Sequence, residues 1–187
     1  MESRKKEILR TAASLFREKG YSAVTMRDLA SALGIKAASL YNHISSKQDI
    51  LEAIVISIAE DFTDGMGKIM NQPNTSIQKL TQIVHLHVNL AVQNPNGMSA
   101  LNSDWMHLEK KRDAYIQMRD DYESNFRYII KEGIKAGELK DMDINVVVFS
   151  MLTTLRSLYL WIPKKNLEEL PSFSEDLADV LIRGINT

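Results

Sequence analysis

Apolar residues recur at helical spacing along almost the whole chain, whereas the alternation typical of strands is scarce. Glycine and proline are few and stand between the periodic segments. The pattern predicts an all-α protein of about nine helices. We expect them at about 3–19, 25–33, 36–43, 46–70, 75–93, 98–107, 109–136, 144–161 and 174–184.

The first three helices have the signals of a helix-turn-helix. Gly20 is placed to end the first helix. Thr25 and Asp28 have the spacing of a capping box at the start of the second. Gly34 lies in the turn before the third, where a tight connection needs a permissive backbone. A short third helix of this kind enters the DNA major groove. We therefore predict a DNA-binding domain over residues 1–47 and a second, helical domain over 48–187.

Small side chains at the start of the third helix suit base reading. Ala37 and Ala38 let the backbone approach the base edges, and Ser39 can donate or accept there. Lys36 can reach a guanine edge or a phosphate.

Four flanking side chains suit phosphate contacts: Thr25, Tyr41, His43 and Lys47. The alternative for Tyr41 and His43 is that they cover the junction with the fourth helix, and Thr25 is a helix cap in either case.

Charge is unevenly distributed along the chain. The whole chain has a net charge of −1, but residues 1–47 hold nine basic and four acidic residues, a net charge of +5. A basic N-terminal segment followed by an acidic remainder is expected when only the N-terminal part of a protein binds the phosphates of a nucleic acid. Chance clustering of solvated charge gives the same count.

The segment from Thr25 to Leu51, TMRDLASALGIKAASLYNHISSKQDIL, closely resembles the TetR family of repressors, over about residues 5–55. The resemblance implies that Thr25, Tyr41 and Lys47 contact phosphates. It also implies that the base readers lie within 36–39, with His43 close by. Two residues depart from the family pattern: Lys36 replaces a common Ser, which removes a helix cap, and Ala38 replaces a common Gly. Both departures bear on which operator is bound.

The last two predicted helices are the candidates for a homodimer interface, because each carries a wide apolar surface. The proposed interface residues are Val148, Met151, Leu152, Leu155, Leu177, Val180 and Leu181. A two-fold dimer predicts a palindromic operator.

The middle of the chain carries aromatic and methionine side chains that suit either a ligand pocket or an ordinary core. The candidates for ligand binding are His85, Trp105, Met106, Met118, Tyr122, Phe126, Leu155 and Tyr159. The segments at 86–95, 119–126 and 134–139, with Asp143, are similar to regulators of fatty-acid and sterol breakdown. That resemblance implies an acyl-CoA or fatty-acid-like ligand between the helices at 75–93, 98–107 and 109–136.

Other functional classes have less support. The chain has no cysteine, and His85 and His87 diverge by about 200° on a helix, so neither a thiolate nor a paired-histidine metal site is expected. Phosphate-binding loops and nucleophile motifs are absent from the sequence, so we expect no enzyme and no cofactor. With no secretory signal and no membrane partner expected, we place the protein in the cytoplasm. The rival interpretation is a helical interaction module with a degenerate DNA-binding head.

Overall fold

The computed structural model describes residues 3–166, 168 and 170–185. Within that part of the chain there are ten α-helical segments, one of them a four-residue turn, and no β-strand, so the predictions of an all-α fold and of about nine helices are confirmed. The helices are α1 (Arg4–Lys19), α2 (Met26–Ala32), α3 (Ala37–Tyr41), α4 (Lys47–Met70), α5 (Ser76–Gln93), α6 (Pro95–Ser103), α7 (Arg112–Lys135), α8 (Ile144–Arg156), α9 (Leu158–Trp161) and α10 (Leu170–Arg183).

Local signals in the sequence set several of these boundaries. The predicted capping box is present: the Thr25 hydroxyl accepts the Asp28 N–H at 3.2 Å, and the Asp28 carboxylate accepts the Thr25 N–H at 2.8 Å. The Thr25 hydroxyl also donates to the Asp28 carboxylate at 2.6 Å, and this bond, followed by the one from the Thr25 N–H, lowers the pKa of Asp28. Gly20 and Gly137 follow α1 and α7 with φ of 82° and 73°, values that favour glycine.

Several boundaries differ from the prediction: α10 begins at Leu170 rather than at about 174, α6 ends at Ser103 rather than at about 107, and two further differences have a local cause. The helix expected from residue 98 begins at Pro95, because the Asn94 side chain caps it by accepting the Gly97 N–H at 2.9 Å and proline needs no N–H there. The helix expected over 144–161 is interrupted at Ser157, whose hydroxyl donates to the Thr154 carbonyl oxygen at 2.8 Å.

The chain forms two compact units. The first comprises the described residues up to 60 together with 94–116, and the second comprises 61–93 with the described residues from 117 onward. This grouping differs from the predicted domains 1–47 and 48–187, which remain a prediction about functional division. Helices α4 and α7 each contribute residues to both units.

The first unit is built around α1, which packs against α2 and α6. Ile8 and Phe16 of α1 are buried in its core with Leu29 and Leu40 of the next two helices. A Cβ at Gly97 would lie 2.6 Å from Ile58 Cδ1, so glycine allows a close approach of α6 to α4.

In the second unit α5 is central and packs against α8, α9 and α10. Its core includes Leu80 and Ile83 of α5, Phe126 of α7 and Leu155 of α8. One segment of the described chain, Ile144–Lys164, has the length and apolar composition of a membrane-spanning helix. Its break at Ser157 and the burial of Leu155 are instead typical of a core segment.

Two glycine substitutions should change stability in opposite directions. A Cβ at either Gly137 or Gly67 meets no atom within 4 Å, so only the backbone conformation distinguishes the two sites. Gly137→Ala should lower the free energy of unfolding by about 1–2 kcal/mol, because φ is positive there. Gly67→Ala, inside α4, should raise it by about 0.5–1 kcal/mol. Urea unfolding measures both, and two changes of the same sign would contradict the assignment.

Candidate nucleic-acid interface

The turn between α2 and α3 holds the two helices in a fixed arrangement. The Gly34 N–H donates to the Ser31 carbonyl oxygen and the Ile35 N–H to the Ala30 carbonyl oxygen, both at 3.0 Å. Leu40 on the inner side of α3 is fully buried. The opposite side of α3 is therefore left facing solvent, as a groove-reading helix requires.

The predicted base readers lie on that outer side. Lys36 and Ala38 are exposed, while Ala37 and Ser39 are half-buried. Lys36 is the N-cap residue of α3 and makes no side-chain cap, as its replacement of the family's serine implied. Its ammonium group can thus reach beyond the helix end.

Most of the predicted phosphate contacts are also accessible. Thr25 and His43 are exposed, and the Tyr41 side chain is 53% exposed. This exposure favours the nucleic-acid interpretation of Tyr41 and His43 over burial at the junction with α4. Sequence reasoning did not select Arg27, an exposed cation in the first turn of α2 next to Thr25.

Lys47 has a different environment from the one predicted. Its ammonium donates to the carbonyl oxygens of Tyr21 and Val24 at 2.8 Å and of Ser22 at 3.4 Å, and it lies 4.3 Å from the centroid of the Tyr21 ring. A lysine has three N–H donors, so these carbonyls use all of them. The arrangement makes Lys47 a support for the loop between α1 and α2, rather than a free phosphate contact.

A further set of contacts, which we call the clasp, joins the loop after α1 and the first turn of α4 to the segment after α6. It consists of Tyr21, Gln48, Asp104 and His107. The Tyr21 hydroxyl donates to Gln48 Oε1 at 2.7 Å, and Gln48 Nε2 donates to the His107 carbonyl oxygen at 2.9 Å. The Tyr21 and His107 rings stack with centroids 5.2 Å apart. The sequence carries no signal for these pairs, because their members are far apart in the chain.

Burial and acidic neighbours shape the clasp electrostatically. Burial raises the pKa of the Asp104 carboxyl, which accepts a hydrogen bond from the Tyr21 backbone. Burial, followed by the carboxylates of Glu109, Asp104 and Glu52, raises the pKa of the Tyr21 hydroxyl. The Tyr21 hydroxyl is therefore protonated at neutral pH and can serve as a hydrogen-bond donor to Gln48.

The second unit contains a buried polar pair inside an aromatic cluster. His87 Nε2 and the Tyr122 hydroxyl are 2.9 Å apart, and the Phe62 ring lies 4.6 Å from the His87 ring, centroid to centroid. Burial and, second, the positive charge of Arg156 lower the pKa of His87 to about 3, so the imidazole is neutral. Burial also raises the pKa of Tyr122.

The predicted ligand residues are dispersed. Tyr122, Phe126 and Leu155 are buried in the second unit, where Met118 and Tyr159 are half-buried. In the first unit, Trp105 packs against Tyr115, and Met106 is 60% exposed, which argues against its predicted place in an interior pocket.

His85 lines an open groove of about 610 Å³ between α5 and α10, where its Nε2 lies 3.4 Å from Glu175 Oε1. No cluster of three or more metal-ligating side chains occurs among the residues that the structure describes.

The predicted interface residues of α8 need correction. Val148, Met151, Leu152 and Leu155 are at most 4% exposed because they pack inside the protomer. The outward face of α8 instead presents Val146 and Phe149, which are 56% and 71% exposed. On α10, Leu177 and Leu181 are half-buried and Val180 is 71% exposed.

Comparison with known proteins identifies both parts of the chain. Residues 8–54 match the family model of bacterial regulatory proteins of the tetR family, and residues 73–185 match the model of the tetracyclin repressor-like C-terminal domain. The nucleoid occlusion factor SlmA of Vibrio cholerae is 24% identical over 89% of this chain and 91% of its own length. The transcriptional repressor KstR2 of Mycolicibacterium smegmatis is 26% identical over 78% of this chain and 72% of its own.

Solved structures share the fold. The ketosteroid regulator KstR2 of Mycobacterium tuberculosis superposes with a TM-score of 0.92 at 20% identity, covering 100% of this chain and 97% of that one. AibR in complex with isovaleryl coenzyme A and operator DNA superposes with a TM-score of 0.79 at 22% identity, covering 96% of each chain. With a helix-turn-helix that exposes its third helix and family matches over both parts, the chain belongs to the TetR family and is a DNA-binding transcriptional regulator.

Proposed function

We propose that this protein is a cytoplasmic repressor that binds a palindromic operator as a homodimer and leaves it when an acyl-CoA-type ligand binds. The observation that carries the proposal is the outer side of α3, where Lys36 and Ala38 are exposed while Leu40 anchors the helix to the core. This side chain pattern, on a segment of net charge +5, suits a helix that enters the major groove. A family of regulators gives no support to an enzymatic role.

Binding to DNA is expected to be specific and salt-sensitive. A mobility-shift titration with the region upstream of the protein's own gene, against a shuffled duplex, tests this expectation. Preference for the natural sequence that weakens with added salt supports the repressor. Absent binding, or equal binding to both duplexes, would instead favour the helical interaction module with a degenerate head.

Lys36 and Lys47 should respond differently to removal of their charge. Lys36→Met should reduce the slope of log binding constant against log salt by about 1, since one phosphate contact is lost, and should leave stability unchanged. Lys47→Met should lower the free energy of unfolding by about 1–3 kcal/mol, because the Val24 carbonyl oxygen loses its lysine donor and the Tyr21 carbonyl oxygen keeps only the Val24 N–H.

Lys131→Met, an exposed lysine on α7, is the matched charge control and should alter neither quantity. A reduced salt slope with unchanged stability in Lys47→Met would restore Lys47 as the phosphate contact implied by the family resemblance.

A second copy of the chain is the occupant that we propose for the apolar outer face of the C-terminal helices. Phe149 and Val146 are three residues apart on α8, and Trp161 of α9 and Val180 of α10 are also more than half exposed. Apolar side chains in this number on a regulator's surface are typical of a protein interface. A homodimer would also account for the two-fold symmetry of a palindromic site.

Phe149→Arg should convert a dimer to a monomer without unfolding it, because the side chain is 71% exposed in the protomer and a charge there would be buried by a partner. Analytical ultracentrifugation measures the mass, and circular dichroism checks the fold. Asn71→Arg, at an exposed position after α4, adds the same charge and should stay dimeric. If Phe149→Arg remains dimeric, the interface lies elsewhere.

The proposed ligand class rests on the resemblance of the body to acyl-CoA-sensing regulators and on the shared fold with AibR, which was solved with isovaleryl coenzyme A. Fluorescence anisotropy of labelled operator across a series of acyl-CoA thioesters is the test. Release by none of them at any chain length would overturn the ligand class.

The clasp gives the regulator a route for coupling. Gln48 lies in the first turn of α4 and bonds both to Tyr21, beside the loop that leads into α2, and to the carbonyl of His107. A ligand that shifts the segment after α6 therefore acts directly on Gln48 in α4 and on Tyr21 in the loop before α2. The coupling needed is modest, since 1–3 kcal/mol loosens DNA about 5- to 150-fold.

Gln48→Met should reduce this coupling. The substitution keeps the side-chain length and removes both hydrogen bonds, so the ratio of operator affinities without and with a releasing thioester should fall towards 1. Calorimetry should show that thioester affinity in the absence of DNA is unchanged. Gln93→Met, at an exposed position at the end of α5, is the matched control. An undiminished ratio in Gln48→Met would exclude the clasp as the coupling element.

A further inference from the structure

His87 has a buried ring nitrogen with no hydrogen-bond partner among the described residues. Its Nε2 is paired with the Tyr122 hydroxyl at 2.9 Å, whereas Nδ1 has no hydrogen-bond partner in the described protein. His87 is only 4% exposed. A buried polar atom without a partner destabilises the folded state, so its retention calls for a physical explanation.

The pairing with Tyr122 determines which nitrogen carries the proton. If Nε2 carried it, Tyr122 would accept, and both the Tyr122 hydroxyl hydrogen and the Nδ1 lone pair would lack partners. If Tyr122 donates to Nε2, a single group, the Nδ1–H, is left over. The second arrangement leaves fewer unsatisfied groups, so His87 presents an N–H donor at Nδ1.

The environment keeps that donor uncharged. The Phe62 and Tyr122 rings pack on the imidazole at 4.6 and 5.8 Å between centroids, and Arg156 adds a positive charge that opposes protonation. A neutral donor in apolar surroundings suits a neutral acceptor. A carboxylate would need a counter-charge to be buried there, and Arg156 already lies 3.7 Å from Glu123.

We infer that His87, oriented by Tyr122, donates a hydrogen bond from Nδ1 to the carbonyl oxygen of a ligand's thioester. The inference deepens the proposed function and rests on it, because it assigns the residue that recognises the acyl-CoA carbonyl. Sequence reasoning selected His85 and Tyr122 but not His87, which differs from His85 in being fully enclosed by α4, α5 and α7 side chains. The Tyr122 hydroxyl acts as a positioning group that fixes the tautomer.

The test compares isovaleryl- and octanoyl-CoA with the matching S-alkyl-CoA thioethers, which lack only the carbonyl oxygen. Calorimetry on the full-length protein should show the thioester binding about tenfold more tightly than its thioether, as one hydrogen bond to an otherwise unpaired donor implies. In His87→Phe the thioester and thioether should bind equally. In Tyr122→Phe the ratio should fall part of the way, because the tautomer is no longer fixed.

The outcomes separate this inference from the proposed ligand class. A tenfold ratio that persists in His87→Phe overturns the role of His87 and leaves the ligand class standing. Failure of every thioester to bind overturns both.

A measurement on the unsubstituted protein guards against misfolded variants. Nitrogen-15 NMR of labelled histidine should show His87 protonated at Nδ1, with that resonance shifting when a thioester but not a thioether is added. Protonation at Nε2, or a shift common to both ligands, would overturn the inference.

Discussion

The arrangement of the DNA-binding head depends on one ammonium group. Lys47 stands at the first residue of α4, yet its three N–H donors reach back to the loop after α1 and its charge lies over the Tyr21 ring. That loop leads directly into the Thr25 capping box, which starts α2, and α2 carries α3 through the glycine turn. The loop that leads into the helix-turn-helix is therefore supported by a residue that itself lies after α3.

The same loop also contacts the segment after α6, because the Tyr21 ring stacks on the ring of His107. Tyr21 contributes a carbonyl to Lys47 and a hydroxyl to Gln48, so one residue takes part in both the support and the clasp. Residues 94–116 belong to the same compact unit as the helix-turn-helix, although they follow two helices of the body in sequence. The segment after α6 therefore contacts the helix-turn-helix within one compact unit, with no flexible linker between them.

Local signals were sufficient for most of the fold. Periodicity identified the helices, and short-range pairs such as Thr25 with Asp28 set boundaries that the structure confirms. Signals of this kind fail where two rules compete. Proline between two periodic segments predicts a break, but Pro95 is the first residue of α6, and Ser157 interrupts an apolar run that periodicity alone continues.

Contacts between residues far apart in the chain could not be predicted from the sequence. Apolar periodicity on α8 distinguishes a buried face from a polar one, but it does not reveal that Val146 and Phe149 form a second, exposed apolar face. The roles of Lys47 and His107 depend on partners brought near by folding, and His87 differs from His85 only in how completely other helices enclose it.

The third helix is only five residues long and begins without a side-chain cap. A helix of one turn does not sustain itself in water, so α3 persists because Leu40 is held by the core and because the turn before it is fixed. Its outward residues, from Lys36 to Ser39, make no packing contribution comparable to that of Leu40. Under the proposed function, recognition and folding use different faces of one turn of helix, so the operator preference of such a protein can drift through evolution while its stability stays nearly constant.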